Sequence, residues 1–395
     1  MSQQRIRAVF MRGGTSRCLF FHDADLPPNA RERDRILLAA LGSPDPYGRQ
    51  LDGLGGGISS LSKAVIIGPP SHAEADVDYT FAQVSVTEAL VDYRGNCGNC
   101  TSAVGPFAID ERLVPALEPL TTVRLHNTNT RKLVIARVPV VGKEAAVEGD
   151  FEMPGVPGRG ARIALDFLDP GGAATGKLLP TGQARESLEV PGAGTIEVSL
   201  VDATNPMVFV RARDLGLVGT ESPEAMDRDM ALSSRLEAIR VAGALRMGIP
   251  GSVAIPKIAL VSSPASYRML DGSEISARDV NLVARVISMG KCHRAFALTA
   301  AICLAVAARM AGTVVWESLS PSPRPSPPPG ERTKVRGQER SEGDVRLGHP
   351  SGVLPIDACV ERDGKGTPVA RHVTVYRTAR RLMEGFVLVP TGSPT

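Results

Sequence analysis

From Leu298 to Met310 the chain reads Leu-Thr-Ala-Ala-Ile-Cys-Leu-Ala-Val-Ala-Ala-Arg-Met, apolar nearly all round a helix. A helix without a polar face must be covered on every side. The run is too short to cross a bilayer, so the rest of the chain has to surround it. Asn96-Cys97-Gly98-Asn99 marks a second place of this kind. The apolar stretch from Tyr79 to Val91 reads as a strand, the Asn/Gly turn carries a thiol at its apex, and small residues suited to a close-packed helix follow through Gly105-Pro106. A strand, a tight turn and a helix start put Cys97 where backbone N–H groups are free and the helix dipole is positive. That setting favours a thiolate and also holds a carboxylate.

At 395 residues the chain is too long for one typical core, and two domains are expected, 1–185 and 186–395. The net charge is +3, with much of the basic excess between Arg332 and Arg340. Without that stretch the protein is near neutral, which gives nucleic-acid or membrane binding little support. Met1-Ser-Gln-Gln-Arg5 has no apolar core of a signal peptide. The expectation is a cytoplasmic protein with its six cysteines reduced.

Ile6–Phe10 and Cys18–Phe21 read as strands, with Met11–Arg17 as the loop between them. That loop is either a plain hairpin or an anion-binding turn with N–H and O–H donors. Asn29–Leu41 has helical spacing and stops at Gly42-Ser-Pro. The glycine-rich Leu51–Gly57 leads to Lys63 at the mouth of the strand Ala64–Ile67. A lysine there is either solvated or placed beside a ligand that the glycines admit. Further strands are expected at Thr122–Leu125, Leu133–Val141, Val147–Phe151, Ile196–Val201 and Ile258–Val261. Helices are expected over Glu221–Leu245 and Ala277–Ser288, with Thr299 capping the apolar helix. Ser318–Asp344, rich in proline and then in charge, cannot form a core and reads as a disordered insertion.

Cys97 and Cys100 form a CxxC with three readings. A zinc site lacks further ligands at suitable spacing. A thiol–disulfide couple fits the spacing but not the surrounding turn. Acid–base chemistry by Cys97 alone leaves Cys100 an incidental small residue. Cys18, Cys303 and Cys359 sit in apolar contexts and read as core. His293 either donates to a substrate carboxylate or makes a structural hydrogen bond, and His349 carries the same two readings.

The landmarks Met11-Arg-Gly-Gly-Thr-Ser16, Gly42-Ser-Pro-Asp-Pro46, Asp52-Gly-Leu-Gly-Gly56, Ser62-Lys63, Asp76-Val-Asp-Tyr79, Asn96-Cys-Gly-Asn99, Gly348-His-Pro-Ser-Gly352 and Arg377-Thr-Ala-Arg-Arg-Leu-Met-Glu-Gly385 occur in order. Through them the chain resembles the 2-methylaconitate cis-trans isomerase family, within the diaminopimelate epimerase and proline racemase-like group. The resemblance spans nearly all of the chain outside the insertion. It implies an α/β (α+β) fold of two similar halves, each a sheet wrapped around a central helix, with the site in the cleft where the two helix starts point. It implies no cofactor and no metal. It also implies a small unsaturated polycarboxylate as substrate, and a homodimer is expected. Lys63 and Cys97 match the family's catalytic lysine and cysteine. The second helix start offers Leu298-Thr-Ala-Ala301 where epimerases of this fold carry another cysteine, which argues against epimerisation.

The chemistry follows. Removing a proton next to a carboxylate adds negative charge to an anion, so the intermediate needs fixed positive potential, which two helix starts supply. A free lysine titrates near about 10.4 and a thiol near about 8.5, so both must be tuned. Lys63 is expected as the base and Cys97 as the acid. Arg12, Gly14, Thr15, Ser16, Ser62, Asn96, Gly98, Asn99, His293, Thr299 and Ser351 are the candidate substrate contacts. Cis-trans isomerisation of 2-methylaconitate, a double-bond shift in methylitaconate and tautomerism of oxalomesaconate all need this same set.

Overall fold

The computed structural model describes residues 3–192, 194–319 and 344–391. The insertion expected over 318–344 lies outside the described residues from 320 to 343. Ser318 itself is ordered. It closes a short helix, Val314–Ser318, and its Oγ donates to the Val314 carbonyl at 2.7 Å.

β1 (Gln3–Gly13) and β2 (Ser16–His22) form a hairpin whose ladder runs to the Gly13–Ser16 pair. Gly14 and Thr15 alone make the turn, so the long loop expected from Met11 to Arg17 is mostly strand. A two-residue hairpin turn of this kind calls for positive φ, and Gly14 has φ 51°. α1 (Ala30–Leu41) starts where the Asn29 side chain accepts from the Arg31 and Glu32 amides, and stops at left-handed Gly42. β3 (Lys63–Gly68) runs parallel to β2 and antiparallel to β4 (Val77–Val84). The strand expected to reach Val91 thus ends at Val84, where the chain turns and the Ser85 amide donates to the Leu90 carbonyl. α2 (Gly98–Asp110) follows, then β5 (Leu120–Asn127), β6 (Lys132–Val141) and β7 (Ile163–Leu168). The strand expected over Val147–Phe151 is replaced by irregular chain with a two-residue pairing at Phe151–Glu152.

The same order then recurs. After β8 (Glu186–Val190) come the hairpin β9 (Gly194–Ala203) and β10 (Asn205–Arg211), and α3 (Met230–Arg246). β11 (Lys257–Ser262) is parallel to β10 and antiparallel to β12 (Leu282–Ser288). α4 (Leu298–Ala308), β13 (Val345–His349) and β14 (Gly352–Arg362) complete the second set. The helix expected over Ala277–Ser288 is a single turn at Ala277–Asp279 followed by β12. Leu282-Val-Ala-Arg-Val-Ile is buried on both faces, and a continuous apolar run carries no period to separate strand from helix.

β15 (Pro368–Arg377) pairs with β7 and β14, and β16 (Ala379–Pro390) pairs with β1. The closing strands therefore return to the first sheet. A division at residue 185 stands as a proposal for the two helical centres, and these strands cross it.

Each sheet curls around its own helix. Gly98–Ile109 of α2 and all of α4 are buried. The wrapping brings Cys18 on β2 onto the first turn of α2, where it is bonded to Cys100. This corrects the expectation of six reduced cysteines. It also removes the Cys97–Cys100 redox couple, since Cys97 is a free thiol.

The small residues of α2 let β6 come close. A Cβ at Gly105 would lie 2.8 Å from Val138 Cγ2. Glycine in a helix costs about 1 kcal/mol relative to alanine, whereas overpacking a filled core costs roughly 1–3 kcal/mol. Gly105→Val should therefore destabilise, by about 2 kcal/mol or more. Chemical denaturation checks this, and an unchanged midpoint would show that the helix has room to spare.

Candidate active site

Lys63 is the first residue of β3 and lies opposite Gln83 on β4. Its Nζ donates to Gln83 Oε1 at 2.7 Å and sits 4.9 Å from the Phe81 ring centroid. Gln83 is oriented by its own amide nitrogen, which donates to the Ser62 carbonyl at 2.9 Å and the Ser59 carbonyl at 3.2 Å. Burial pushes the Lys63 ammonium below its ordinary value, and the Cys97 sulfur pushes it part of the way back.

Cys97 is the N-cap of α2 with extended backbone, and no side chain caps that first turn. Ala297 holds the same position on α4, again with no side-chain cap. Two uncapped helix starts thus meet. A Cβ on Gly98 would lie 3.1 Å from Leu298 Cδ2. Ser16 Oγ stands 3.9 Å from Cys97 Sγ. Gly13 and Gly14 press on the same turn, since a Cβ at either would fall 2.3 Å from an Asn99 oxygen. Asn99 Nδ2 donates to Thr15 Oγ1 at 3.0 Å, and Arg377 Nε donates to Asn99 Oδ1 at 3.3 Å.

His293 lies beside this cluster. The Ala295 amide donates to His293 Nδ1 at 3.1 Å, which leaves the proton on Nε2. Burial and then the nearby Lys63 push its value down to about 3, so it is a neutral donor. His349 is likewise held near about 3, by burial and then by Arg377. Thr15, Ala295, Phe296, His349 and Arg377 line a small cavity closed by Met153 and Pro154.

Several expected substrate contacts already have partners within the protein. Ser62 Oγ is taken by Gln50 Nε2 at 2.6 Å. Arg12 donates to the carbonyls of Gly14 and Thr378, at 3.1 and 2.9 Å. Asn96 Oδ1 accepts from the Cys97 amide at 2.7 Å. Thr299 does not cap α4, because its Oγ1 accepts from Asn205 Nδ2 at 2.7 Å. Ser351 Oγ donates to the Arg294 carbonyl at 2.5 Å. In return the structure adds groups that sequence reasoning missed: Gln83, Asn205, Lys257 and Arg377. Arg377 stands inside a landmark stretch already singled out, Gln83 lies in the stretch from Tyr79 read as a strand, and Lys257 heads a strand as Lys63 does. Asn205 carried no signal beyond its place in a turn.

The cluster is rich in buried cations. Arg377 is pushed down to about 10 by burial, and Lys257 to about 8 by burial and then by Lys63. Among the described residues, no group of three or more His, Cys, Asp or Glu is placed to hold a metal ion. Among them too, no helix is long and apolar enough to cross a membrane.

Comparison with known proteins gives a consistent picture. Residues 3–390 match the family model described as PrpF protein. The chain is 44% identical over 396 residues to a 3-methylitaconate isomerase of Eubacterium barkeri, covering 98% of each. It is 40% identical over 407 residues to a 2-methyl-aconitate isomerase of Shewanella oneidensis, again covering 98% of each. The crystal structure of a methylitaconate-delta-isomerase superposes with a TM-score of 0.73 at 43% identity, covering 99% of this chain and 97% of that one. A hydroxyproline epimerase from Agrobacterium vitis, 12% identical, shares the fold with a TM-score of 0.55 over 100% of this chain and 94% of its own.

The buried neutral histidines set an acid limit on stability. An imidazole held at about 3 in the folded protein and free to titrate near 6.5 when unfolded stabilises fully above 6.5. That contribution is lost as pH falls from there towards 3. The melting temperature should therefore drop steadily below pH about 6.5, and His349→Gln should flatten the slope. A melting temperature indifferent to pH over this range would contradict the burial of both rings.

Proposed function

The chain belongs to the PrpF protein family and is an isomerase, and from that premise we propose that Lys63 and Cys97 move a proton within a branched unsaturated di- or tricarboxylate. Methylitaconate and 2-methylaconitate are the substrates of the chain's similar relatives, and an acid of this type is the substrate proposed here. The observation that carries the reading is the buried Lys63 amine, held below its ordinary value and influenced by the Cys97 thiol at an uncapped helix start.

In the proposed reaction, the Lys63 nitrogen takes a proton from carbon conjugated with a carboxylate. The electron pair moves through the double bond into that carboxylate, giving a dienolate-type anion. The Cys97 thiol then gives its proton to the far carbon and becomes a thiolate. The Lys63 ammonium then returns a proton to that sulfur, so no proton is gained or lost overall. Rotation in the anion before reprotonation yields a cis-trans change, and reprotonation at the far carbon yields a double-bond shift. The amides of Gly98 and Asn99, the neutral His293 and the N–H groups at the start of α4 face the developing charge. Preorganised donors of this kind stabilise it without reorganisation. Arg377, with Asn99 and Thr15, is proposed to anchor one carboxylate. Lys63 and Cys97 are 6% and 8% exposed, so the two halves must part for an acid of this size to reach them.

A cytoplasmic location belongs to the same proposal. The Cys18–Cys100 bond is the observation against it, since disulfides are uncommon in a reducing compartment. A homodimer is proposed as well, with the exposed Leu382, Phe386 and Leu388 of β16 as the apolar surface it would cover.

The test is proton NMR in deuterated water with 2-methylaconitate, methylitaconate and oxalomesaconate in parallel. One of them should rearrange with deuterium uptake. Lys63→Ala should lower the exchange rate roughly 10²–10⁴-fold. Cys97→Ser should slow rearrangement more than exchange, because the serine hydroxyl is a poorer acid. Exchange that survives Lys63→Ala at full rate would sink the assignment.

A further inference from the structure

The two halves repeat one order of elements, and that order pairs two lysines. In the first half, β3 follows a hairpin and a helix, lies parallel to the second hairpin strand and begins with Lys63. In the second half, β11 follows a hairpin and a helix, lies parallel to the second hairpin strand and begins with Lys257. Lys63-Ala-Val-Ile-Ile and Lys257-Ile-Ala-Leu-Val stand at equivalent places. The helix starts match in the same way, with Cys97 corresponding to Ala297. The second half therefore has a lysine in the matching place but no thiol.

Lys257 reaches the site of the first half. The chain leading into it, residues 250–256, folds over the Cys97 turn. Arg94 Nη1 donates to the Pro250 carbonyl at 3.3 Å and Ser252 Oγ donates to Asp92 Oδ2 at 2.7 Å. A Cβ at Gly95 would lie 3.4 Å from Ile255 Cγ2. Lys257 is 8% exposed, and its Nζ donates to the Ala254 carbonyl at 2.9 Å. Burial and then the charge of Lys63 lower the Lys257 value, and Cys97 raises it.

Two buried ammonium groups in one site repel each other. The carboxylate whose charge opposes that of Lys257, Asp92, is also engaged by Ser252 and by the Arg94 amide at 2.8 Å. A buried cation whose counter-charge is shared with other groups is costly, so further negative charge should arrive with the ligand. The ammonium carries three donors, and the Ala254 carbonyl takes one.

We propose that Lys257 is a substrate-binding residue whose ammonium holds one carboxylate of the unsaturated acid from the second half. This rests on the reading of Lys63 and Cys97 as the proton-transfer pair and deepens it. The two carboxylates would then be gripped from both sides, by Arg377 with Asn99 and by Lys257, with the reacting carbons between them. At neutral pH Lys257 keeps its proton, since its value lies near about 8, and a bound carboxylate raises that value further.

The experiment compares Lys257→Met, Lys257→Gln and Lys63→Ala with the wild-type enzyme. It uses whichever of the three acids the wild type rearranges, and measures kcat and KM from pH 6.5 to 9.5. Removing one side of a buried charge-assisted contact should raise KM roughly 30-fold or more, with a smaller effect on kcat. The wild-type KM should climb above pH about 8, and the rise should vanish in both Lys257 variants. Deuterium exchange should persist in them at saturating substrate and be lost in Lys63→Ala. The glutamine variant keeps a polar group at the strand head, and melting curves show that each variant is folded. If KM and its alkaline rise are unchanged in a folded Lys257 variant while Lys63→Ala abolishes exchange, the role of Lys257 is overturned and the proton-transfer pair stands. If Lys63→Ala keeps full exchange, the pair itself fails.

Discussion

Asn205 holds the structure's functional centre together. Its Oδ1 accepts from the Asn96 amide at 2.9 Å, and its Nδ2 donates to the Asn96 carbonyl and to Thr299 Oγ1, both at 2.7 Å. One side-chain amide from the second hairpin thus grips the backbone just before Cys97 and the first turn of α4. Both helix starts are fixed relative to each other by this buried link. A buried amide with all these partners satisfied is directional in a way that apolar packing is not. The glycines at 13, 14 and 98 serve the same end, because a Cβ at any of them would crowd the Cys97 turn or Leu298.

The charges in the cleft follow one logic. Lys63, Lys257 and Arg377 are all buried, and burial holds all three below their ordinary values. The two histidines are neutral for the same reason. A cluster of buried cations of this kind disfavours cationic ligands and suits the anionic acid proposed as substrate. The same burial makes an amine available as a base, which a solvated lysine is not at neutral pH. In the proposed reaction, binding and proton removal would draw on one physical cause.

Much of this was legible in the sequence, for reasons that can be named. The apolar run after Leu298 and the small residues after Cys97 demanded two covered helices, and α4 and α2 are those helices. Asn29 and Gly42 marked the ends of α1 correctly. Polar residues were harder to read. Arg12, Ser62, Asn96 and Thr299 have donors and acceptors suited to a carboxylate, but in the folded chain backbone and side-chain partners already occupy them. Residue type alone does not distinguish the two uses. Cys18 and Cys100 lie 82 residues apart, and only the wrapping of β2 over α2 brings them into contact. Lys257 looks like any strand-end lysine until the repeat of the two halves is seen.

The account rests on an amine and a thiol sharing one anion pocket between two helix starts. A crystal structure of the protein with a saturated tricarboxylate, which has no double bond to move, tests this most directly. The carbon chain should lie between Lys63 Nζ and Cys97 Sγ, with one carboxylate at the amides of Gly98 and Asn99. A ligand seated away from that turn, or one that leaves the lysine and the thiol both out of reach of its carbons, would contradict it.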